Sequence, residues 1–231
     1  MVGSLLLRAL SFRGCPVRKY GQGNGAWDVA RGSLDGKSVV ISAGVGKDIS
    51  FDLEVNKAHA CRVIMIDPSP TGRQTIEQSK PLPPGLVFES IGIADRDENI
   101  SFASPYHPDE GSFRLPTDGH SPPTNTFRCE RIETLMRRHA LNSIDLLKID
   151  IEGFEYGVLR DLLKTKCKVG QICVEFHHGI VPGIRKGDSL RAILRLAAAG
   201  YRLISRDQLN YTFLRRKQHQ TQAHMTAGEE K

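Results

Sequence analysis

Short β-branched apolar runs alternate with helical patterns along this chain, and that alternation restricts it to an α/β fold with a mostly parallel sheet and crossover helices. The first run is Ser38-Val39-Val40-Ile41-Ser42. The glycine turn Ala43-Gly44-Val45-Gly46-Lys47 follows, and Asp48 can cap a helix beginning near Ile49. The second run, residues 62–66, ends at Asp67 and is stopped by Pro68 and Pro70, with a short helix expected over residues 71–78. Residues 86–91 read as a third strand and residues 99–103 as a further short one. A helix over residues 131–140 leads into residues 144–150, whose near-continuous apolar run suits a central strand covered on both faces. A helix over residues 155–164 and a strand over residues 171–176 come next. Asp188 or Ser189 is expected to cap a helix that runs through Ala199 and ends at Gly200. Residues 201–205 and 211–215 are strands close enough to pair as an antiparallel hairpin.

A length of 231 residues fits one domain of this kind with a short extension at each end. The expected division is an N-terminal extension over 1–37, the α/β domain over 38–216 and a disordered polar tail over 217–231. No apolar run approaches the ~20 residues needed to cross a bilayer. Leu5, Leu6 and Leu7 are interrupted by Arg8 and lack the flanks of a secretory signal, so a frayed or helical arm and a cytoplasmic protein are expected. None of the five cysteines sits in a C-x-x-C pair, which suggests neither a disulfide framework nor a zinc site. Cys61 and Cys173 read as buried free thiols. The formal charge of +6 is concentrated at the ends: residues 1–40 hold six basic and two acidic residues, residues 200–231 six and three. The body between them holds 20 basic and 21 acidic residues, so neither a nucleic-acid nor a membrane partner is expected.

Residues 104–126 are rich in Pro, Gly, Ser and Thr, with no periodic apolar signal. A connection of that length inside a compact domain is usually functional or mobile, and it reads as a loop covering a substrate or as a disordered insertion.

Chemistry-bearing residues cluster just after the strands, where open α/β sheets bind their ligands. Gly44 and Gly46 let the backbone approach a ligand closely, and the helix that follows offers free N–H groups. Asp67 ends the second strand and can accept the hydroxyls of a ribose; a helix cap or turn residue is the alternative. The small apolar segment Ile91-Gly92-Ile93-Ala94 with Asp95 suits an adenine ring, or is an exposed turn. Asp150 and Glu152 gather two carboxylates at the mouth of the central strand, an arrangement costly without a partner. Glu155 fits a helix N-terminus. In Glu175-Phe176-His177-His178-Gly179, alternation puts Glu175 and His177 on one side, with His177 a natural proton acceptor or else a solvent-facing residue.

These segments together resemble the FkbM family of methyltransferases: residues 42–52, Ile66-Asp67-Pro68-Ser69-Pro70, Leu147-Lys148-Ile149-Asp150-Ile151-Glu152-Gly153-Phe154-Glu155 and Val174-Glu175-Phe176-His177. The K-I-D-I-E-G-x-E stretch is the most specific part, and the resemblance runs over roughly residues 39–211. It implies the class I methyltransferase fold, a seven-stranded Rossmann-like sheet. It implies S-adenosyl-L-methionine as methyl donor and transfer to an oxygen of a sugar or secondary metabolite, so the expected partner is a small-molecule or glycan acceptor. By position, Gly44 and Gly46 would lie along the methionine part of the donor, Asp67 would hold the ribose, and Asp150 would stand near the methyl-transfer centre. Class I enzymes usually carry an acid two residues before the first glycine. Here that position is Ser42, and Asp48 is a possible substitute.

Methyl transfer to oxygen needs in-line placement of the acceptor and removal of its proton. Glu175 or His177 is expected as the base, with Asp150 and Glu152 positioning donor and acceptor. Asp150, Glu152 and His177 offer metal-type ligands, but their spacing carries no metal signature, and none is expected. Two other readings compete. A nicotinamide-dependent oxidoreductase needs a third glycine where this chain has Ile49. A degenerate methyltransferase fold acting as a binding protein is compatible with Ser42, less so with the retained Asp67 and Asp150.

Overall fold

The computed structural model describes residue 12 and residues 14–105, 112–114, 123–165 and 167–216. The expected N-terminal arm, most of the 104–126 connection and the 217–231 tail lie outside the described residues. In chain order the elements are β1 (Val17–Tyr20), β2 (Trp27–Ala30), β3 (Val39–Ala43), α1 (Ser50–His59), β4 (Arg62–Ile66), α2 (Pro70–Gln78) and β5 (Leu86–Glu89). Then come β6 (Gly92–Ile93), β7 (Glu98–Ala103), β8 (Pro123–Glu130), α3 (Ile132–Arg138), β9 (Ile144–Ile149) and α4 (Glu155–Leu162). The C-terminal part is β10 (Val169–Glu175), α5 (Lys186–Ala198), β11 (Tyr201–Asp207) and β12 (Asn210–Arg215).

Seven strands form the main sheet in the order β11-β12-β10-β9-β3-β4-β5. Strands β5, β4, β3, β9 and β10 are mutually parallel; β12 runs antiparallel between β10 and β11. The expected mostly parallel Rossmann-like sheet with a C-terminal antiparallel hairpin is therefore present. The chain first builds outward from β3 through β4 to β5, then returns to build the other way from β9. The strand order reverses between β3 and β9, and a crevice opens at their carboxyl ends.

The central strands are apolar on both faces because both are covered. One face packs Ile41, Ile64, Leu147 and Ile172 against α3, α4 and α5 through Leu135, Leu159 and Leu196. The other packs Val40, Met65, Leu146 and Cys173 against Phe51 and Val55 of α1, Ile76 of α2, and Tyr20, Trp27 and Val29 of the β1–β2 hairpin. This hairpin lies within the stretch expected as a plain extension. Two four-residue strands without clear alternation carry little signal, but Trp27 is fully buried. Their backbone is tied to the sheet by Ala30 N–H donating to Gln171 Oε1 (2.8 Å) and Thr212 Oγ1 donating to the Asp28 carbonyl (2.7 Å).

Two further differences from the sequence reading have local causes. Helix α5 begins at Lys186, ahead of Asp188; Asp188 sits inside the first turn, where its Oδ2 accepts the Arg185 N–H at 2.8 Å. Part of the presumed loop is strand: β8 pairs antiparallel with β7 and parallel with β6 in a small second sheet. Cys61, Cys129 and Cys173 are buried free thiols.

Candidate active site

A cleft of about 390 Å³ opens at the carboxyl ends of β3, β4 and β9. Its floor is the glycine turn after β3. Gly44 has φ +90°, and a Cβ there would stand 1.8 Å from the Asp150 carbonyl oxygen, so the close approach of β3 and β9 requires glycine. Gly46 has φ +53°, and nothing stands within 4 Å of where its Cβ would be. The turn thus presents bare backbone to open space, a cradle suited to an extended polar ligand.

Asp67 is buried at the tip of β4 and lines the cleft. Its Oδ2 accepts the Gly46 N–H at 2.8 Å and its Oδ1 the Ser69 N–H at 2.7 Å. Each carboxylate oxygen keeps a further lone pair, so Asp67 both shapes the glycine turn and can still accept hydroxyls. Beyond it the wall becomes apolar: Ile91, Gly92, Ile93, Phe102, Phe113 and Phe154. Phe102 and Phe154 lie with ring centroids 4.7 Å apart. Ser112 and Phe113, from the expected covering loop, also line the cleft. This wall suits a flat aromatic base. Asp95, expected beside that base, does not reach the cleft; it pairs with Arg96 at 3.2 Å and Arg160 at 3.4 Å. Its helix-facing strand end points it at α4 instead, where Gly157 leaves it room.

Asp48 is exposed at the cleft rim, with Oδ1 accepting the Ser50 N–H at 2.7 Å. The N-cap of α1 is Ile49, so Asp48 stands one residue ahead of the expected cap and makes only this local bond to the first helical residue. Ser42 is fully buried beneath the turn, beside the Asp52 carboxyl. Two lining residues escaped the sequence reading. Asp52 on α1 is 2% exposed, and its Oδ1 has no hydrogen-bond partner. Burial pushes its carboxyl up to about 6, against the pull of the Lys148 ammonium. Lys148 is itself buried on β9, with Nζ donating to the Gly44 carbonyl, 3.8 Å from Asp150 Oδ2, and 5.7 Å from the centroid of the Trp27 ring. No sequence signal distinguishes Asp52, a single acid in the first turn of a helix.

At the far end of the cleft stand Asp150 and Glu152, and behind them Glu175 and His177. Glu152 has φ +51°, a left-handed conformation uncommon outside glycine, which turns its side chain toward the imidazole. His177 Nε2 is 3.6 Å from Asp150 Oδ1 and 3.5 Å from Glu152 Oε2. Its Nδ1 is 3.3 Å from Oε1 of the fully buried Glu155. Burial alone would lower the His177 pKa, but the Glu155 hydrogen bond and the charges of Glu155, Glu152 and Asp150 raise it to about 10. The imidazole is therefore a cation at neutral pH. That charge suits it to an electrostatic role among the carboxylates rather than to that of a base. Glu175 has the opposite problem: burial, then the Asp150 charge, push its carboxyl up to about 7. Burial likewise raises Glu152. His178 lies apart, with Nδ1 2.7 Å from Ser189 Oγ.

Donor atoms of Asp150, Glu175 and His177 lie within 4.8 Å of one another, a spacing that can hold a metal ion. In the folded chain the imidazolium itself supplies positive charge among these carboxylates. Ile49, where a dinucleotide fingerprint needs its third glycine, is buried in the core against α1 and the sheet. Among the described residues no helix is long and apolar enough to cross a membrane.

The hexuronic acid methyltransferase AglP of Haloferax volcanii is 23% identical over 160 residues, which cover 66% of this chain and 65% of that protein, so the match spans just under two thirds of the relative's length. Two solved structures share 10% identity. The Methanococcus jannaschii fibrillarin pre-rRNA processing protein has a TM-score of 0.44, covering 78% of this chain and 67% of its own. M. jannaschii TYW2 in complex with AdoMet has a TM-score of 0.35, with 89% of each chain covered. At those scores the fold rests on the strand order itself. The methyltransferase FkbM domain matches residues 39–203, from β3 into β11, and so takes in the glycine turn, Asp67, the Asp150–Glu155 stretch and His177. The chain belongs to the FkbM methyltransferase family.

Proposed function

We propose that this chain is an S-adenosyl-methionine-dependent methyltransferase that methylates a hydroxyl oxygen of a sugar or related small molecule. One observation carries the reading: a single cleft at the sheet's reversal point runs from bare glycine backbone, past Asp67, to an apolar aromatic wall, and ends beside Asp150 and Glu152. The residues fit the donor piece by piece. The glycine turn accommodates an extended amino-acid chain, Asp67 the ribose hydroxyls, and Ile91, Ile93, Phe102 and Phe154 the base.

When bound, the donor supplies a methyl group on a sulfonium. The chain's own residues have three tasks. Asp150 and Glu152 orient the two reactants at the cleft's end. The His177 imidazolium, clamped by Glu155, fixes those carboxylates in place and limits their mutual repulsion. Glu175, which sits against Asp150 behind the cleft and whose carboxyl titrates near neutrality, takes up by way of Asp150 the proton that the acceptor hydroxyl loses. The kinship with a hexuronic acid methyltransferase supports an acceptor of carbohydrate type.

Calorimetry with S-adenosyl-homocysteine and with NAD tests the reading. Saturable binding of the first and none of the second is expected. A folded chain with no affinity for S-adenosyl-homocysteine overturns it.

A further inference from the structure

Class I methyltransferases usually grip the donor's ammonium with an acid at the position where this chain has Ser42. Five acids line the cleft: Asp48, Asp52, Asp67, Asp150 and Glu152. Asp48 is exposed and tied to the Ser50 N–H. Asp67 is engaged at both oxygens by backbone N–H groups. Asp150 and Glu152 face His177 at the other end. Asp52 differs from all of them: it is 98% removed from solvent, and its Oδ1 has no hydrogen-bond partner. A buried carboxylate oxygen left without a donor costs free energy and invites one. Ser42 Oγ, also buried, is on the strand beneath the same turn and close enough to the Asp52 carboxyl to favour its charged form.

We infer that Asp52, on the first turn of α1, is the acid that binds the α-ammonium of the donor, taking over the role that the strand-tip position cedes in this chain. The geometry explains how the acid can move. The glycine turn folds from β3 into α1, so the tip of β3 and the first turn of α1 border the same end of the cleft. A carboxylate supplied from the helix reaches the amino-acid end of a ligand as well as one supplied from the strand. Lys148, buried nearby and donating to the Gly44 carbonyl, favours the charged form of Asp52, which an ammonium requires. Ammonium hydrogen-bonded to a buried carboxylate is among the stronger polar contacts in proteins.

The inference rests on the donor reading above, and its test separates the two. Calorimetry would compare S-adenosyl-homocysteine with its analogue lacking only the α-amino group, on the wild-type chain and on Asp52→Asn. The wild type is expected to bind the amino-bearing ligand about 10- to 100-fold more tightly, the range of a charge-assisted contact. Asp52→Asn is expected to lose that preference while binding the des-amino analogue as the wild type does. A wild type that binds both ligands equally overturns the inference without any variant and leaves the donor reading standing. A folded Asp52→Asn that keeps the full preference also overturns it. Failure of the wild type to bind either ligand removes the donor reading and this inference with it.

Discussion

Glu155 Oε1 accepts the His177 backbone N–H at 2.9 Å and lies 3.3 Å from the Nδ1 of the same residue, so one buried carboxylate holds both the backbone and the ring of His177. Its other oxygen, Oε2, accepts the Gly153 N–H at 2.8 Å. Glu155 thereby joins the end of β10 to the turn that carries Asp150 and Glu152. The family's K-I-D-I-E-G-x-E stretch is in this sense a structural clamp as much as a set of reacting groups.

Glu155→Ala leaves two backbone N–H groups and an imidazolium without their acceptor. Breaking a buried charged pair costs about 3–5 kcal/mol, and the loss is expected here in the urea unfolding free energy. A loss under about 1 kcal/mol, typical of a surface acid, would show that the clamp does not hold the fold together.

Stability should fall as pH rises, in two windows. Both groups concerned bind their proton more tightly folded than unfolded, so their contribution is whole in acid and is lost as the pH climbs through the folded value. For Glu175 that window runs from 4.5 to about 7, and for His177 from 6.5 to about 10. Melting temperatures of the wild type and of His177→Gln, measured from pH 5 to 10, check the second window. The wild type should lose more stability than the variant above about pH 6.5; parallel curves would show that His177 is not a buried cation.

Glu175→Gln is expected to cut turnover by about 10²- to 10⁴-fold, as for loss of a general base, with S-adenosyl-homocysteine affinity unchanged. The wild-type rate should rise with pH through about 7 and level off, since the carboxylate form is the active one. Initial rates from pH 5.5 to 9 on any acceptor the wild type methylates decide the matter. Persistence of the rising limb in the variant would assign the base to another group.

Much of the scaffold was legible in the chain alone. The both-sided apolar runs of β3, β4, β9 and β10, the glycine turn at Gly44 and Gly46, and the acid closing β4 follow from local rules: period, turn chemistry and capping. The family was legible too, because its most specific stretch is contiguous.

Tertiary structure decided what depends on neighbours distant in sequence. Whether His177 is base or cation turns on three carboxylates, two of them brought in by the β9–α4 turn and one by α4 itself, and no spacing rule reports their distances. Nothing in the sequence marks Asp52 out, and only the fold shows it buried at the cleft. Asp95 reads as a cleft residue until Arg96 and Arg160 claim it. The β1–β2 hairpin carries little pattern because its stability comes from Trp27 and from bonds to Gln171 and Thr212, residues more than a hundred positions away. Local preference sets which segments are strand or helix; the charge state and the partners of each buried polar group are properties of the packed whole.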